Sequence, residues 1–414
     1  MSDIKICEFV DTYYPTVDGA ITVVKHYCEM LNRKVTCKIA APKASKKDGY
    51  VDNESFEVIR CASIDAPEKY RSAMPGIDGE FIDKIVQEKF DIIHAQTPFA
   101  MGRFAIKIGK KYKIPVVATL HTQYHLDFER VLKGNKALTK FMVNYIAKVY
   151  KNADSVWTVS NKACEFLRDY GYKGHIEVVR NGTEYEYPSN AEELVKRVND
   201  LHGLHDQPNV FIFVGRMAWY KNIGMICDAL KRIKESDKDF KMLFVGGGFD
   251  LQRLKKYANK LGIADKIIFT GEVLDRELLQ GYYLRSDLMI FPSTFDTAGV
   301  VKVEAAAHKK AGIFVKGSCS AELVEDKVNG FLCEENVESL ADAILQLVDK
   351  EDYLKQIGEK AYQTLYKSWD MLADEVLEKY RKVIEEYKEK QRKIERRKQL
   401  LKVVKRKKKT ALTG

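Results

Sequence analysis

The chain contains no run of eighteen apolar residues, so no helix is expected to cross a membrane. Met1 to Lys5 lead directly into an apolar strand, Ile4–Phe9, with no signal-peptide core before it, and a cytoplasmic location is expected. The eight cysteines, at positions 7, 28, 37, 61, 164, 227, 319 and 333, are scattered, and none belongs to a Cys-x-x-Cys pair. That spacing argues against a disulfide framework or a thiolate metal site, and reduced core thiols are expected. No solenoid-type repeat recurs along the chain. A net positive charge is missing from the body as well. The whole chain carries +10, yet residues 388–409 alone hold thirteen Lys or Arg against two Glu, a net +11, which leaves the rest at −1. A body that binds polyanions is disfavoured, and the basic character belongs to the tail.

What is present is a long, ordinary globular composition. At 414 residues, 45% hydrophobic and 31% charged, the chain exceeds one core and suggests two domains. Short apolar runs alternate with helical periodicity. In the first half they are Ile4–Phe9, Val35–Ala40, Phe56–Ile59, Ile92–His94, Val116–Leu120, Val156–Val159 and Ile176–Val179. In the second they are Val210–Val214, Met242–Val245, Ile267–Phe269, Leu288–Phe291 and Gly312–Val315. Such alternation predicts parallel sheets covered on both faces, hence two α/β domains with a cleft between them. A polar linker is expected from about Asn181 to Asn209, and a helix beyond Trp369 from the spacing of Val376, Tyr380, Val383, Ile384 and Tyr387. Ligands of open α/β sheets sit beyond the C-terminal strand ends, and each chemical motif below follows a strand.

The most informative segment runs from Phe291 to Ala307. Pro292 and Ser293 stop a strand, small residues turn the chain, and a helix is expected from Val300 to His308. Gly299, beside Ala298, lets backbone amides approach an anion closely. The helix start adds unpaired N–H donors and about half a positive charge. Asp296 precedes the helix, and Glu304 leans back from its second turn. A diphosphate on the amides, with a carboxylate towards each hydroxyl-bearing end, is what a nucleoside-diphosphate sugar requires. In Val210–Asn222 a strand ends in Gly215, and Arg216 and Lys221 follow. Fixed cations there stabilise the charge that grows on a departing diphosphate, Arg through two N–H groups and Lys as a point charge. His121 stands just after Val116–Leu120, where it would face the cleft. Gly19 opens a helix after Asp11–Asp18, Gly246–Gly248 form another close-approach loop, and Thr270 and Gly271 end a further strand. A metal pair of His121 and His125 lacks a third ligand and the Glu of His-Glu-x-x-His, and Asp237-Lys238-Asp239 reads as a solvated turn, so no metal is expected. His94 reads equally as a site residue or a satisfied core histidine.

The Phe291–Ala307 segment resembles the signature of retaining glycosyltransferases of family 4, in which two acidic residues, with seven between them, surround a Thr-Phe-Gly core. Here the first acid is Asp296, and Ala298 stands where the family has Phe. The Gly215-Arg216 and Lys221 segment, the Gly19 loop, His121 and Ile267–Val273 are similar to further motifs of that family. The resemblance implies the α/β GT-B fold: two Rossmann-like domains facing a cleft, 1–185 for the acceptor and 186–367 for the nucleotide sugar. A helix over 368–387 would cross back to the first domain, with a basic tail at 388–414. It implies His121, Arg216, Lys221 and Asp296 as catalytic residues. Donor binding would fall to Gly19, Gly215, Arg216, Lys221, Gly247, Thr270, Gly271, Asp296, Ala298, Gly299, Val300 and Glu304, with Asp296 on sugar hydroxyls and Glu304 on the ribose. Retention in the family is ascribed to same-face attack, the leaving phosphate taking the acceptor's proton, with no protein nucleophile, metal or other cofactor. The implied donor is a UDP-sugar, UDP-glucose first. The amphipathic basic stretch 130–151, the tail 388–409 and the His121–Tyr124 segment resemble enzymes that glycosylate diacylglycerol on the inner face of the cell membrane. Anionic lipids are the expected partners and nucleic acid the lesser alternative. A soluble or cell-envelope polysaccharide acceptor, a UDP-sugar epimerase and a non-catalytic UDP-sugar binding protein stay open as readings.

Overall fold

The computed structural model describes residues 4–16, 19–45, 47, 49–66 and 71–411, with the side chains of the last helix as far as 401. Val17 and Asp18 of the first glycine loop, and the tail side chains from 402 on, lie outside the described residues. The first half holds strands β1 (Lys5–Phe9), β2 (Thr36–Pro42), β3 (Val58–Cys61), β4 (Ser63–Asp65), β5 (Arg71–Ala73), β6 (Ile92–Ala95), β7 (Val116–Leu120), β8 (Ser155–Thr158) and β9 (Glu177–Val178). The second holds β10 (Val210–Val214), β11 (Lys241–Val245), β12 (Ile267–Gly271), β13 (Leu288–Phe291), β14 (Ala311–Val315) and β15 (Phe331–Cys333).

Two parallel sheets result, in the orders β3-β2-β1-β6-β7-β8-β9 and β12-β11-β10-β13-β14-β15. Both are doubly wound. The strand order reverses between β1 and β6 in one sheet and between β10 and β13 in the other. At such a reversal the connecting helices leave on opposite faces and open a crevice at the C-terminal strand ends. The loops after β1, β6, β10 and β13 carry the Gly19, Gln96, Arg216 and Asp296 segments respectively, so the topology alone brings these motifs to two facing crevices. Every residue of β7, β10 and β14 is buried, which explains why these strands read as unbroken apolar runs rather than alternating ones. All eight cysteines are free thiols, and seven are buried.

The last helix, Trp369–Ala411, leaves the second domain and packs on the first. Trp369, Leu372, Val376, Leu377, Tyr380 and Ile384 enter one core cluster with Ile21, Tyr27 and Trp157. Full burial of such side chains contributes about 1.5–3 kcal/mol each. The exposed pairs Arg33–Asp370 (2.9 Å) and Lys34–Asp374 (2.8 Å) at its start add little by comparison.

Two expectations need correction. The segment read as a linker contains a helix, Ala191–His202, whose buried Leu194 and Val198 face the Arg276–Arg285 helix. Gly281 permits this contact, since a Cβ there would lie 2.9 Å from the Leu194 carbonyl oxygen. The amphipathic stretch 130–151 is two helices, Tyr124–Val131 and Lys136–Asn152, broken where Lys133 and Gly134 take positive φ. The second helix buries Val143, Ile146, Val149 and Tyr150 against the sheet and leaves Leu138 and Phe141 outside, Phe141 64% exposed. The β4–β5 hairpin and β15 are not among the expected strands, since three residues each are too few to give a sequence period.

Candidate functional site

Between the two sheets lies a cleft of about 510 Å³. Its wall includes Gly19, His121, Gly215, Arg216, Lys221, Asp296, Ala298, Gly299, Val300 and Glu304, drawn from both domains.

The loop after β13 is the most heavily tied part. Asn222 Nδ2 donates to the Pro292 carbonyl at 3.0 Å, which fixes where the strand stops. Ser293 Oγ and Lys221 Nζ each donate to one carboxylate oxygen of Asp296 at 2.5 Å. The acid and the cation assigned to different parts of the donor are therefore paired with each other. From the other domain, Gln123 Nε2 donates to the carbonyls of Thr294 (3.0 Å) and Phe295 (2.9 Å), and Ser160 Oγ donates to that of Thr297 (2.8 Å). Ser160 Oγ meanwhile caps the Asn161–Asp169 helix by accepting from the Ala163 amide. Glu322 makes a second bridge, accepting from Asn161 Nδ2 at 2.9 Å, Arg180 Nη2 at 3.1 Å and the Lys162 amide at 3.2 Å.

Gly299 caps the Val300–Ala307 helix with φ 58°, a left-handed conformation costly for a residue with a Cβ. Such a Cβ would also stand 3.0 Å from Ser320 Cα. The first amides of this helix lack intrahelical acceptors and border the cleft. One turn on, Glu304 accepts from Tyr283 Oη at 2.6 Å, which orients its carboxylate. Burial raises the Glu304 pKa, and the Tyr283 hydroxyl and the Arg276 charge oppose that rise.

Arg216 is exposed at the cleft wall, one residue past Gly215. Gly246, half-buried, and Gly248, exposed, are not among the residues lining this cleft. A Cβ on Gly246 would lie 2.2 Å from the Gly215 carbonyl oxygen, and one on Gly248 would lie 2.5 Å from that of Met217. Gly215 N–H donates to Val245 (3.0 Å) and Met217 N–H to Gly247 (2.8 Å). Their smallness lets the β11 loop brace the loop that carries Arg216. Gly247, Thr270 and Gly271, each half-buried, likewise lie outside the lining of this cleft, and the Gly246 amide donates to the Gly271 carbonyl at 2.9 Å.

His121 faces the cleft from the end of β7, and its Nε2 lies 2.5 Å from Gln96 Oε1. Burial pushes its pKa down to about 4, so the ring is neutral at pH 7. His125 turns elsewhere, to Tyr170 Oη at 3.0 Å, and Asp239 pairs with Lys266 at 2.7 Å. Among the described residues no three His, Cys, Asp or Glu side chains gather where a metal could sit. His94 is a satisfied core histidine, 2.5 Å from Tyr380 Oη and 2.6 Å from Thr119 Oγ1. Sequence reasoning passed over Gln123, Ser160, Arg130, Tyr220 and Arg276. Arg130 lies 5.2 Å above the Tyr220 ring across the cleft mouth, and Arg276 pairs with Glu184 at 2.8 Å on its wall. Gln123, Tyr220 and Arg130 lie inside segments already singled out, but no local pattern shows their roles, because each contact crosses between the two domains.

With this geometry in hand, comparisons with known proteins are decisive about class. Residues 17–187 match the family described as Glycosyltransferase Family 4, and residues 196–364 the one described as Glycosyl transferases group 1. An alpha-monoglucosyldiacylglycerol synthase of Streptococcus pneumoniae is 29% identical over 87% of this chain and 82% of its own length. The protein of the same name from Acholeplasma laidlawii is 26% identical over 87% of this chain and 96% of its own. The crystal structure of Anabaena HepE in complex with UDP and glucose superposes with a TM-score of 0.72 at 18% identity, covering 91% of this chain and 99% of that one. The chain, with one matched family on each side of its cleft, belongs to the family 4 type of glycosyltransferases with the GT-B fold.

Proposed function

We propose that this glycosyltransferase moves a hexose, glucose first, from a UDP-sugar to diacylglycerol or a glycosylated form of it at an anionic membrane surface, with retention of configuration and without a metal. The observation that carries the reading is the cleft itself. Arg216, Lys221 and the helix start at Gly299 converge on one side of it, Asp296 and Glu304 flank them, and a neutral His121 stands opposite. The diphosphate would take the helix amides and the two cations, which stabilise the leaving group as its charge grows. Glu304, held by Tyr283, would accept from the ribose, and Asp296 from sugar hydroxyls. The departing phosphate would take the acceptor's proton, so no side-chain nucleophile is required.

The acceptor rests on different support. Two relatives carry the name alpha-monoglucosyldiacylglycerol synthase. Leu138, Phe141 and Val131 lie exposed beside Lys133, Lys136 and Lys140 on the first domain, an amphipathic surface suited to a lipid interface. The test is incubation with UDP-glucose and dioleoylglycerol in anionic vesicles, with and without a chelator. An α-linked glucosyl lipid formed equally under both conditions is expected, identified by mass spectrometry and NMR. Conversion of the UDP-sugar to an epimer, or UDP binding with no product across an acceptor panel, would refute the proposal.

A further inference from the structure

Behind His121 runs a line of buried polar groups that the donor cannot reach. Glu8, on β1, is fully buried, as is Tyr380 on the C-terminal helix, while Gln96, just after β6, is 2% exposed. Tyr380 Oη donates to Glu8 Oε1 at 3.0 Å, Gln96 Nε2 donates to Glu8 Oε2 at 2.7 Å, and Gln96 Oε1 meets His121 Nε2 at 2.5 Å. His94 supports the line from the side, with Nδ1 2.5 Å from Tyr380 Oη.

Burial raises the Glu8 pKa to about 7, so at pH 8 the carboxylate is mostly ionised and the line has one consistent assignment. An ionised carboxylate only accepts, so Glu8 takes the Tyr380 hydroxyl on one oxygen and the Gln96 amide N–H on the other. That fixes which way the Gln96 amide points, and its carbonyl oxygen must face His121. The ring therefore donates through Nε2–H and keeps its lone pair on Nδ1. Buried networks in which every member is satisfied hold a single geometry.

We propose that Gln96 is a positioning residue and that the relay Tyr380–Glu8–Gln96–His121 sets the tautomer and direction of the His121 ring from the seat of the C-terminal helix. The inference rests on the assignment of His121 to the donor's reacting centre. It extends that assignment to three residues from three separate elements, one of them on the helix whose far end carries the basic tail. Gln suits the position better than an acid, since a carboxylate beside His121 would favour a charged ring.

The test labels the histidines of the full-length chain with nitrogen-15 and reads the His121 tautomer at pH 8, with His121→Gln for assignment. The wild type should show the Nε2–H form. Gln96→Ala should give a tautomer mixture and lower kcat for glucose transfer from UDP-glucose to dioleoylglycerol by about tenfold or more, as partners that orient a functional ring do. KM for UDP-glucose should stay within about twofold. The exchange pair Glu8→Gln with Gln96→Glu keeps an acceptor at position 96 and should keep the proton on Nε2, while the added carboxylate raises the pH at which the ring takes up its second proton. If Gln96→Ala does not fold, Gln96→Met, which keeps the volume and removes the acceptor, replaces it. An unchanged tautomer in the folded variant overturns the relay whatever the rate does. Absence of transfer by the wild type would refute the functional reading, and the NMR result would still judge the relay.

Discussion

In the cleft, two residues expected to meet different parts of a donor hold each other instead. The Lys221–Asp296 pair is short but open to the cleft, with side chains 13% and 24% exposed. Pairs of this kind contribute about 0–1 kcal/mol, less than a cation contributes to a diphosphate in the transition state. An incoming donor can therefore draw Lys221 away and free the Asp296 carboxylate for hydroxyls. Lys221→Ala should lower kcat/KM for UDP-glucose by about 2 kcal/mol or more, the size of a single lost transition-state donor. Asp296→Asn should do the reverse for UDP alone, tightening it by up to about 1 kcal/mol while transfer is lost. Steady-state kinetics read the first effect and calorimetry with UDP the second. A weaker UDP affinity in Asp296→Asn would mean that the carboxylate does not compete with phosphate for Lys221.

The element to which the proposed reading assigns the donor's diphosphate is the eight-residue helix Val300–Ala307 and the turn before it. Gly299→Ala places a Cβ in a left-handed residue, at a cost of roughly 1–2 kcal/mol, and against Ser320 Cα at 3.0 Å. The loop must shift, so UDP affinity should fall about tenfold, a loss comparable to that strain, while the rest of the fold persists. Calorimetry paired with a thermal melt checks this, and full UDP affinity with an unaltered melt would show the turn to be tolerant. Much of this element was legible in advance. A strand stop at Pro292, a glycine at the helix start and acids at 296 and 304 form a local pattern. The same holds for β10 with Gly215, Arg216 and Lys221. What could not be read is non-local. Gly246 and Gly248 look like phosphate-loop glycines, yet their missing side chains make room for residues 215–217, some thirty positions away. Gln123 and Ser160 tie the donor loop to the opposite domain, and Gln96 gains its meaning only from Glu8 and Tyr380. The helix Ala191–His202 was hidden because its charged face dominates its composition and only Leu194 and Val198 are buried.

At the scale of the whole molecule, one helix joins the catalytic body to the charged tail. Trp369–Ala411 is continuous, with its first part buried in the N-terminal core to Ile384 and its later side chains, as far as they are described, largely exposed, Leu400 and Leu401 included. The net +11 of residues 388–409 sits on this projecting part. Its contacts with the body, Lys113–Glu395 at 3.0 Å and Lys390–Asp154 at 3.7 Å, are surface pairs that contribute little to stability. Near an anionic leaflet each Lys or Arg contributes about 1 kcal/mol, a term that salt screens. On the proposed reading, the two halves of the helix separate folding from recruitment. Removal of 388–414 should leave the melting temperature within a few degrees and UDP affinity unchanged. Binding to vesicles rich in anionic lipid should fall by at least about tenfold, and glucosylation of vesicle-borne diacylglycerol with it, whereas in neutral vesicles the full-length and shortened chains should behave alike. Vesicle sedimentation at low and high salt, run beside the transfer assay, separates the two terms. If the shortened chain sediments with anionic vesicles as the full chain does, recruitment belongs instead to the exposed Leu138 and Phe141 surface, and the same assay on Phe141→Ser would show it.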